Sequence, residues 1–342
     1  MTYAGAGVSI QSGDEVVERI SSLVASTHRP EVLGGIGGFG GLFALNTRDY
    51  KEPVLVASAD GVGTKLEVAR LVGRYDTVGI DLVAMLVDDL ACVGAEPLFL
   101  LDYVAVGALD PRRIEELVAG IAQGCRLART ALLGGETAEH GGVMRPDELD
   151  VAGFAVGVIE RGEELGASRV RDGDVLIGFG SPGLRSNGYS LARKVLIADE
   201  AALGEEAFPG SPRNLGDELL VPSAIYAPAV VSLRRELGAA LHAAAHITGG
   251  GIPGNVVRIL PAALDAVIDM TSFETPEIFF EIQRRGAVNS EEMVRVFNCG
   301  LGMVVAIDAS ASDAAITLAR AAGVTATVVG EVRAGSAKVV LT

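Results

Sequence analysis

Short apolar segments alternate with amphipathic, helix-like stretches along the first half of the chain. A helical pattern covers residues 81–93, and a second helix is predicted to begin after Asp110, an N-cap residue followed by Pro111, and to run to about Arg129. The apolar segments have the length and Val content of strands, and they lie at residues 54–59, 98–106, 131–133 and 151–159. The first half is therefore predicted to be a mixed α/β domain.

The second half repeats this alternation after a polar, turn-rich stretch at residues 160–174. Strands are predicted at residues 175–180, 266–270, 302–308, 326–332 and 337–341, and helices at 187–198, 226–236, 255–260 and 311–322. We place the domain boundary in the polar stretch, which gives an N-terminal domain at residues 1–165 and a C-terminal α/β domain at residues 166–342. Each is large enough to bury its own core.

Charge and composition narrow the possible partners. The 342 residues carry a formal charge of −16, and only 5% of them are aromatic, so we expect no nucleic-acid partner. Uninterrupted apolar runs are shorter than the roughly 18 residues that span a bilayer. The first residues lack the pattern of a leader peptide, and three dispersed cysteines fit a reducing compartment. We therefore expect a cytoplasmic protein with no membrane partner.

The motif at residues 59–65 (ADGVGTK) combines a carboxylate, two glycines, a hydroxyl and an ammonium group directly after a predicted strand. Asp60 offers hard oxygen ligands for Mg²⁺, and Lys65 offers a compact positive charge. Backbone N–H groups in a turn that contains Gly61, Gly63 and Thr64 can bind phosphate oxygens. The motif is not a Walker A loop, so a purely structural turn between strand and helix stays an open interpretation.

Three carboxylates interrupt the apolar helix predicted at residues 81–93. Asp81 and Asp88 share a face because seven residues make about two turns, whereas Asp89 is rotated from Asp88 by ~100°. Carboxylates in so apolar a helix must be capped, paired or bound to a metal. We interpret Asp81 as the N-cap of the helix and Asp89 as a second Mg²⁺ ligand beside Asp60.

Two further glycine-containing loops carry candidate binding residues. Gly135 and Glu136 lie in a predicted turn after the third strand, where ordinary surface turn chemistry is an equally open interpretation. Ser186 and Asn187 precede a predicted helix and serve either as its N-cap or, with the nearby backbone N–H groups, as phosphate ligands. Arg185 adds a positive charge to this second loop.

A last loop places His246 shortly before a run of glycines that includes Gly249 and Gly250. A structural role and a catalytic role for this histidine are both open. The sequence contains no Ser/His/Asp arrangement and no H-E-x-x-H motif, which argues against a hydrolase triad or a zinc peptidase. The oxygen-rich and glycine-rich loops therefore indicate an ATP-dependent enzyme.

Taken in order, these motifs resemble the phosphoribosylformylglycinamidine cyclo-ligase family, also called aminoimidazole ribonucleotide synthetases, of purine biosynthesis. The resemblance runs nearly from end to end. It rests on the blocks at residues 29–39, 60–65, 94–99, 134–139, 150–154, 186–191, 246–251 and 297–300.

The resemblance implies a homodimer in which the N-terminal domains pair their strands into a shared barrel, with the C-terminal α/β domains outside. It also implies ATP and Mg²⁺ as cofactors and formylglycinamidine ribonucleotide as the small-molecule substrate. ATP would phosphorylate the formamide oxygen, and the amidine nitrogen would then close the imidazole ring. Aminoimidazole ribonucleotide, ADP and phosphate would be released. Such a reaction depends on positioning and charge neutralisation more than on a nucleophilic side chain.

The resemblance also implies roles for individual residues. Asp60 and Asp89 would bind Mg²⁺, Lys65 would contact phosphate, and His246 would touch the metal-phosphate centre or move a proton. The expected catalytic residues are His246, Lys65 and Asp89, the expected nucleotide contacts are Asp60, Gly61, Gly63, Thr64, Lys65, Gly135 and Glu136, and the expected substrate contacts are Arg185, Ser186, Asn187, Gly249 and Gly250.

Four positions depart from the usual pattern of this family. Arg185 stands where the family usually has His, and Asp88 stands where Asn commonly precedes the metal-binding Asp. Gly141 replaces a common Pro, and Ser223-Ala224 replaces Thr followed by a cation. The missing cation at position 224 bears on the contact with the substrate phosphate, and Arg185 is the candidate to replace it.

Two other functions are compatible with the same motifs. One is a paralogue of the same fold that uses ATP to activate a different amide or a carboxyl group. The other is a catalytically silent dimer that binds a nucleotide. Turnover of formylglycinamidine ribonucleotide distinguishes the cyclo-ligase from both.

Overall fold

The computed structural model describes residues 10–342, so the prediction about a leader at the first residues lies outside the described part. The N-terminal half contains four helices and six strands within this range. They are α1 (Ile10–Ala25), β1 (Val32–Leu33), β2 (Leu42–Phe43), β3 (Pro53–Gly61), α2 (Lys65–Val72), α3 (Asp76–Cys92), β4 (Glu96–Val106), α4 (Pro111–Ala128), β5 (Ala131–Glu139) and β6 (Leu149–Glu160).

Four of these strands form a mixed sheet in the order β3-β6-β4-β5. Strand β6 runs antiparallel to β3 and β4, and β5 runs parallel to β4. Helices α3 and α4 pack together on one face of this sheet, and α1 packs on α4. The opposite face exposes large apolar side chains, including Tyr103 at 43% and Phe154 at 44% exposure. One face of the N-terminal sheet is therefore uncovered in the single chain.

The predicted N-terminal elements are confirmed, with two corrections. Helix α4 begins as expected, because the side chain of Asp110 accepts a hydrogen bond from the backbone N–H of Arg112 and Pro111 follows it. Helix α3 begins at Asp76, so Asp81 lies in its second turn and is not its N-cap. Residues 134–139 form the second part of strand β5 instead of a turn, because they pair with β4 along their length.

The C-terminal half is built around a six-stranded sheet. Its elements are β7 (Val175–Gly180), α5 (Tyr189–Leu196), α6 (Leu215–Leu219), α7 (Ala227–Leu237), β8 (Leu241–His246), α8 (Gly251–Val256), β9 (Leu264–Ile268), α9 (Glu277–Gly286), α10 (Ser290–Val296), β10 (Leu301–Ile307), α11 (Ser312–Ala321), β11 (Ala326–Ala334) and β12 (Val339–Leu341). The strand order is β12-β9-β11-β7-β10-β8, and every pairing is antiparallel except that of β12 with β9.

Most elements predicted for this half are confirmed, and strand β7 has the predicted bounds. Strand β8 was missed because its sequence, LHAAAH, lacks the branched and aromatic residues that favour strands. The prediction also omitted helices α9 and α10. Helix α8 begins earlier than predicted, directly in the glycine run.

Helix α3 joins the two halves. Its Leu82 and Leu86 side chains lie against Gly153 of β6, and the helix also contacts α7 and β8 of the C-terminal sheet layer. Both sides of α3 are covered, and a helix in such a position needs apolar residues on nearly all of its surface. Asp81 and Asp88, which share a face as predicted, are completely buried there.

Among residues 10–342, we find no helix with both the length and the apolar content needed to span a membrane.

Candidate functional site

Asp60 lies at the end of strand β3, opposite Gly153 of the neighbouring strand, and thus on the sheet face that is covered by α3. Its Oδ1 accepts a hydrogen bond of 2.7 Å from the backbone N–H of Gly61. Partial burial raises the pKa of Asp60 above its ordinary value, and the negative charge of Asp89 raises it further. A carboxylate whose ionisation is opposed by a neighbouring negative charge is a natural place for a cation.

Asp89 and His246 meet where helix α3 passes the end of strand β8. The Oδ1 atom of Asp89 lies 2.9 Å from Nδ1 of His246. The histidine side chain is 3% exposed, whereas that of Asp89 is 48% exposed. Asp89 is therefore held by a buried partner while its carboxylate stays open to solvent, and Asp60 lies near enough to both residues to feel their charges.

A cleft of about 360 Å³ opens beside this pair. Its polar lining includes Ser58 of β3, Asp89, His246, Asn255 and Arg258. The sequence motifs did not indicate Asn255 and Arg258, although both follow the glycine run closely. A larger groove of about 1100 Å³ lies elsewhere, between the C-terminal half and Leu127 and Arg129 of the N-terminal half, and is lined by none of the residues predicted for the site.

Asn255 shapes the glycine loop at the edge of the cleft. Its Nδ2 donates hydrogen bonds to the carbonyl oxygens of Thr248, Gly249 and Gly251, at 2.8–3.3 Å. Gly250 has a φ of 96°, a region that L side chains rarely adopt. The loop conformation is therefore fixed both by glycine and by one buried amide.

The loop at residues 185–188 lies next to this glycine loop. A Cβ atom on Gly249 would lie 3.7 Å from Oδ1 of Asn187. Ser186 has a buried hydroxyl oxygen without a hydrogen-bond partner in the described residues. The two predicted substrate loops are therefore neighbours, and their backbone and small polar groups face each other.

The side chain of Arg185, in contrast, is completely buried. Its guanidinium donates to Oδ2 of Asp88 at 2.9 Å, to Nε2 of His246 at 2.8 Å and to the carbonyl oxygen of Ala224 at 2.7 Å. It also lies over the ring of Tyr226, 4.7 Å from the centroid. Arg185 thus contacts His246 from the protein interior and does not line the cleft.

Asp88 holds the start of helix α7. Its Oδ1 accepts hydrogen bonds from the backbone N–H groups of Tyr226 and Ala227, at 2.7 and 2.8 Å. Burial raises the pKa of Asp88, whereas the charge of Arg185 and these N–H groups lower it. Because all these neighbours are donors, they match the ionised carboxylate.

Lys65 does not face the cleft, in contrast to the expectation from its motif. Its ammonium is fully buried and lies 2.6 Å from Oδ2 of Asp81. It also donates to the carbonyl oxygens of Arg185 and Val221, at 3.0 and 2.8 Å. The ammonium is therefore surrounded by one carboxylate and two carbonyl oxygens of the chain itself. On Asp81, Oδ1 accepts from the backbone N–H and the hydroxyl of Ser223.

The turn between β3 and α2 has open space at Gly63 and close packing at Gly61. Gly63 has a φ of 64°, and no atom lies within 4 Å of the place where a Cβ would stand. Thr64 precedes helix α2, and its hydroxyl lies 3.3 Å from that of Ser190. Gly61 is closely packed, because a Cβ there would lie 3.1 Å from the carbonyl oxygen of Val151.

Gly135 and Glu136 are not part of the same cluster in one chain. Asp60 and Gly135 lie in one row across the four-stranded sheet, on strands at opposite edges, which puts them about 14 Å apart. A Cβ on Gly135 would lie 1.7 Å from Oδ1 of Asp102, so glycine makes room for that carboxyl group. Glu136 follows it on the opposite, uncovered face, beside Tyr103.

The residues present fit a metal ion that arrives with a polyphosphate better than a closed metal site. No group of three or more His, Cys, Asp or Glu side chains in residues 10–342 could hold a metal ion. Mg²⁺ is commonly bound by one or two carboxylates together with substrate phosphates and water. Asp60 and Asp89 supply that number of carboxylates.

Residues 45–159 match the model described as "AIR synthase related protein, N-terminal domain", and residues 171–341 match "AIR synthase related protein, C-terminal domain". A phosphoribosylformylglycinamidine cyclo-ligase from Geotalea daltonii is 49% identical over 333 residues, which cover 97% of this chain and 95% of that protein.

Two solved structures share the fold at low sequence identity. Thiamine-monophosphate kinase from Stenotrophomonas maltophilia superposes with a TM-score of 0.70 at 21% identity, over 96% of this chain and 95% of that one. The hydrogenase maturation protein HypE in complex with ATP superposes with a TM-score of 0.66 at 17% identity, over 95% of this chain and 90% of that one.

Proposed function

The chain belongs to the phosphoribosylformylglycinamidine cyclo-ligase family, ligases of purine biosynthesis, and on that premise we propose how its residues serve the reaction. The proposed substrate is formylglycinamidine ribonucleotide. ATP transfers its γ-phosphoryl group to the formamide oxygen, the amidine nitrogen attacks the same carbon, and the C–O bond breaks to release phosphate. The products are aminoimidazole ribonucleotide, ADP and phosphate, and the ring nitrogen loses a proton.

The observation that carries this proposal is the meeting of Asp60, Asp89 and His246 beside the cleft. Phosphoryl transfer needs charge neutralisation and alignment more than a nucleophile from the protein. We propose that Asp60 and Asp89 hold Mg²⁺, which when bound neutralises phosphate charge. The N–H groups of Gly63 and Thr64, in the turn that follows Gly61, are the proposed phosphate donors at the end of β3.

The proposed site for formylglycinamidine ribonucleotide lies between two adjacent loops. One loop provides Ser186 and Asn187, and the other provides Gly249 and Gly250. The unpartnered hydroxyl of Ser186 supports this assignment, because a buried hydroxyl without a partner is unfavourable until a ligand bonds to it.

Three of the expected contacts take other roles in this proposal. Lys65 and Arg185 act from within the protein, because every acceptor they bind belongs to the chain. Gly135 provides space for Asp102. These residues are proposed to position the site and not to touch ATP or the substrate.

We further propose that the uncovered face of the N-terminal sheet is covered by a second copy, which forms the shared barrel. Phe154, Leu101 and Ala59 lie in one row across three strands of that face, and the next row contains Tyr103. An apolar sheet face of this kind favours association. Glu136 lies on this face and would approach the partner.

The test is incubation of the purified protein with formylglycinamidine ribonucleotide, ATP and Mg²⁺. The proposal expects aminoimidazole ribonucleotide and ADP in equal amounts. If no ring closure occurs, the protein is tested with other amides, and ATP hydrolysis with one of them would identify the paralogue. Nucleotide binding without any turnover would identify the silent dimer. Protein without added Mg²⁺ and the Asp89→Asn variant are the controls.

A further inference from the structure

The carboxylate of Asp89 is one end of a chain of contacts that continues behind the cleft. Asp89 contacts Nδ1 of His246 at 2.9 Å, and Nε2 of the same ring lies 2.8 Å from Nη2 of Arg185. Arg185 in turn contacts Oδ2 of Asp88 at 2.9 Å. Both nitrogens of the imidazole ring therefore have a partner, and the partners are of opposite charge.

The chemistry of the partners determines where the ring proton lies. A guanidinium only donates hydrogen bonds, so Nε2 of His246 must accept and carries no proton. A carboxylate accepts hydrogen bonds, so Nδ1 of His246 carries the proton and donates a hydrogen bond to Asp89. Asp88 does not compete for the ring, because its Oδ2 lies 3.9 Å from Nε2.

We infer that Arg185 holds His246 as the neutral Nδ1–H tautomer and thereby orients the carboxylate of Asp89. Arg185 is on this inference a positioning residue that acts through His246. The second oxygen of Asp89 is left for a cation, and neither ring nitrogen is free to bind a metal or to exchange a proton with a substrate. Only the statement about the cation rests on the function proposed above.

The surroundings of Arg185 fit such a fixed role. Its backbone has a φ of 63°, which L residues adopt rarely and which other contacts must hold in place. Those contacts are the carbonyl oxygen of Ala224, the carboxylate of Asp88 and the face of the Tyr226 ring. These contacts hold the plane of the guanidinium and fix the direction of the Nη2 group that bonds Nε2 of His246.

The proposal is tested by ¹⁵N NMR of protein labelled only at histidine. The chain has four histidines, and His246→Gln identifies the signal of His246 by its loss. The expected spectrum shows a protonated Nδ1 and a bare Nε2 for His246. His242, on the same strand and 2.7 Å from Asp174, is an internal reference that must not change. A protonated Nε2 on His246 in the unaltered protein overturns the proposal.

The Arg185→Lys variant tests the cause of the tautomer. Lysine keeps a positive charge for Asp88 but lacks the planar fork, so the His246 signals should shift toward a mixture of tautomers. The Mg²⁺ concentration for half-maximal turnover should rise about 10-fold or more, as is usual when the partner of a metal ligand is disturbed. Arg284→Lys, at an exposed arginine that pairs with the buried carboxylate of Glu281, is the matched control. A folded Arg185→Lys protein with unchanged His246 signals overturns the proposal.

The two readouts separate this inference from the proposed function. A protein that shows the Nδ1–H tautomer, and loses it in Arg185→Lys, supports the inference even if formylglycinamidine ribonucleotide is not turned over. Turnover with Mg²⁺ and a protonated Nε2 supports the function and refutes the inference.

Discussion

The ammonium of Lys65 and the carboxylate of Asp81 lie 2.6 Å apart, and both side chains are completely buried. Lys65 begins helix α2, Asp81 lies in the second turn of α3, and the partners around them belong to the C-terminal half. Burial lowers the pKa of Lys65, and the charge of Asp81 opposes this change. The pair thus ties the start of the phosphate motif to the other domain.

We predict that Lys65→Met is destabilising, because it leaves the charge of Asp81 buried without its partner. The loss should be on the order of 3–5 kcal/mol, measured as a lower midpoint in urea. The double variant Lys65→Met/Asp81→Leu should recover much of it, since no buried charge remains. Lys194→Met, at an exposed position of α5, is the control. An unchanged midpoint with a raised KM for ATP would show that Lys65 contacts the nucleotide after all.

Asp89→Asn should reduce kcat about 100-fold or more with little change in stability. The side chain is 48% exposed, so loss of its charge leaves no buried group unpaired, and an amide binds Mg²⁺ less well than a carboxylate does. The measurements are steady-state turnover and thermal unfolding of the same samples. Asp313→Asn, on the surface of α11, should change neither. Full activity in Asp89→Asn would remove it from the metal site.

Asp60→Asn should raise the stability of the protein above acidic pH and lower its turnover. The pKa of Asp60 is raised in the folded protein, so folding favours its protonated form, and stability is lost as pH rises from 3.8 through the folded pKa. Above that pH the Asn variant should therefore unfold at a higher temperature than the unaltered protein, while turnover falls. The thermal midpoints should converge at acidic pH. A lower midpoint for Asp60→Asn at pH 7 would contradict this view of the site.

Asp102 should make the protein less stable as pH rises toward neutrality. Burial raises the pKa of this carboxyl from 3.8 to about 7 in the folded protein. The stabilisation is therefore complete below pH 3.8 and lost as pH rises through about 7, by up to roughly 4 kcal/mol. In Asp102→Asn, the urea midpoint should therefore depend less on pH between about 5 and 8 than it does in the unaltered protein. The same slope in both proteins would show that Asp102 is not its source.

Phe154→Arg should convert the proposed dimer into a monomer. Phe154 is 44% exposed on the uncovered sheet face, and a charge there is unfavourable when a second copy covers it. Light scattering during gel filtration gives the mass directly. Phe280→Arg, at a 49% exposed position on α9, is the control for an apolar side chain on another surface. A monomeric unaltered protein would contradict the shared barrel.

The sequence alone was sufficient for the elements whose signal is local. Helix α4 follows from the cap at Asp110 and the proline after it, and strand β7 follows from a short apolar run between turns. The order of the sequence motifs was sufficient to identify the family, because several motifs in a fixed order are more specific than any single motif. It also pointed to Asp60, Asp89 and His246 as one group.

The tertiary structure alone decided what each charged side chain contacts. Asp88 and Asp89 are adjacent in sequence, yet one is buried against helix α7 and the other opens to the cleft, because neighbouring helical residues differ by ~100° in direction. Lys65 and Arg185 were expected to bind phosphate because the sequence gives the positive charge of a side chain but not the groups that it contacts. Their partners come from residues about 16 to 156 positions away, and only folding brings those together.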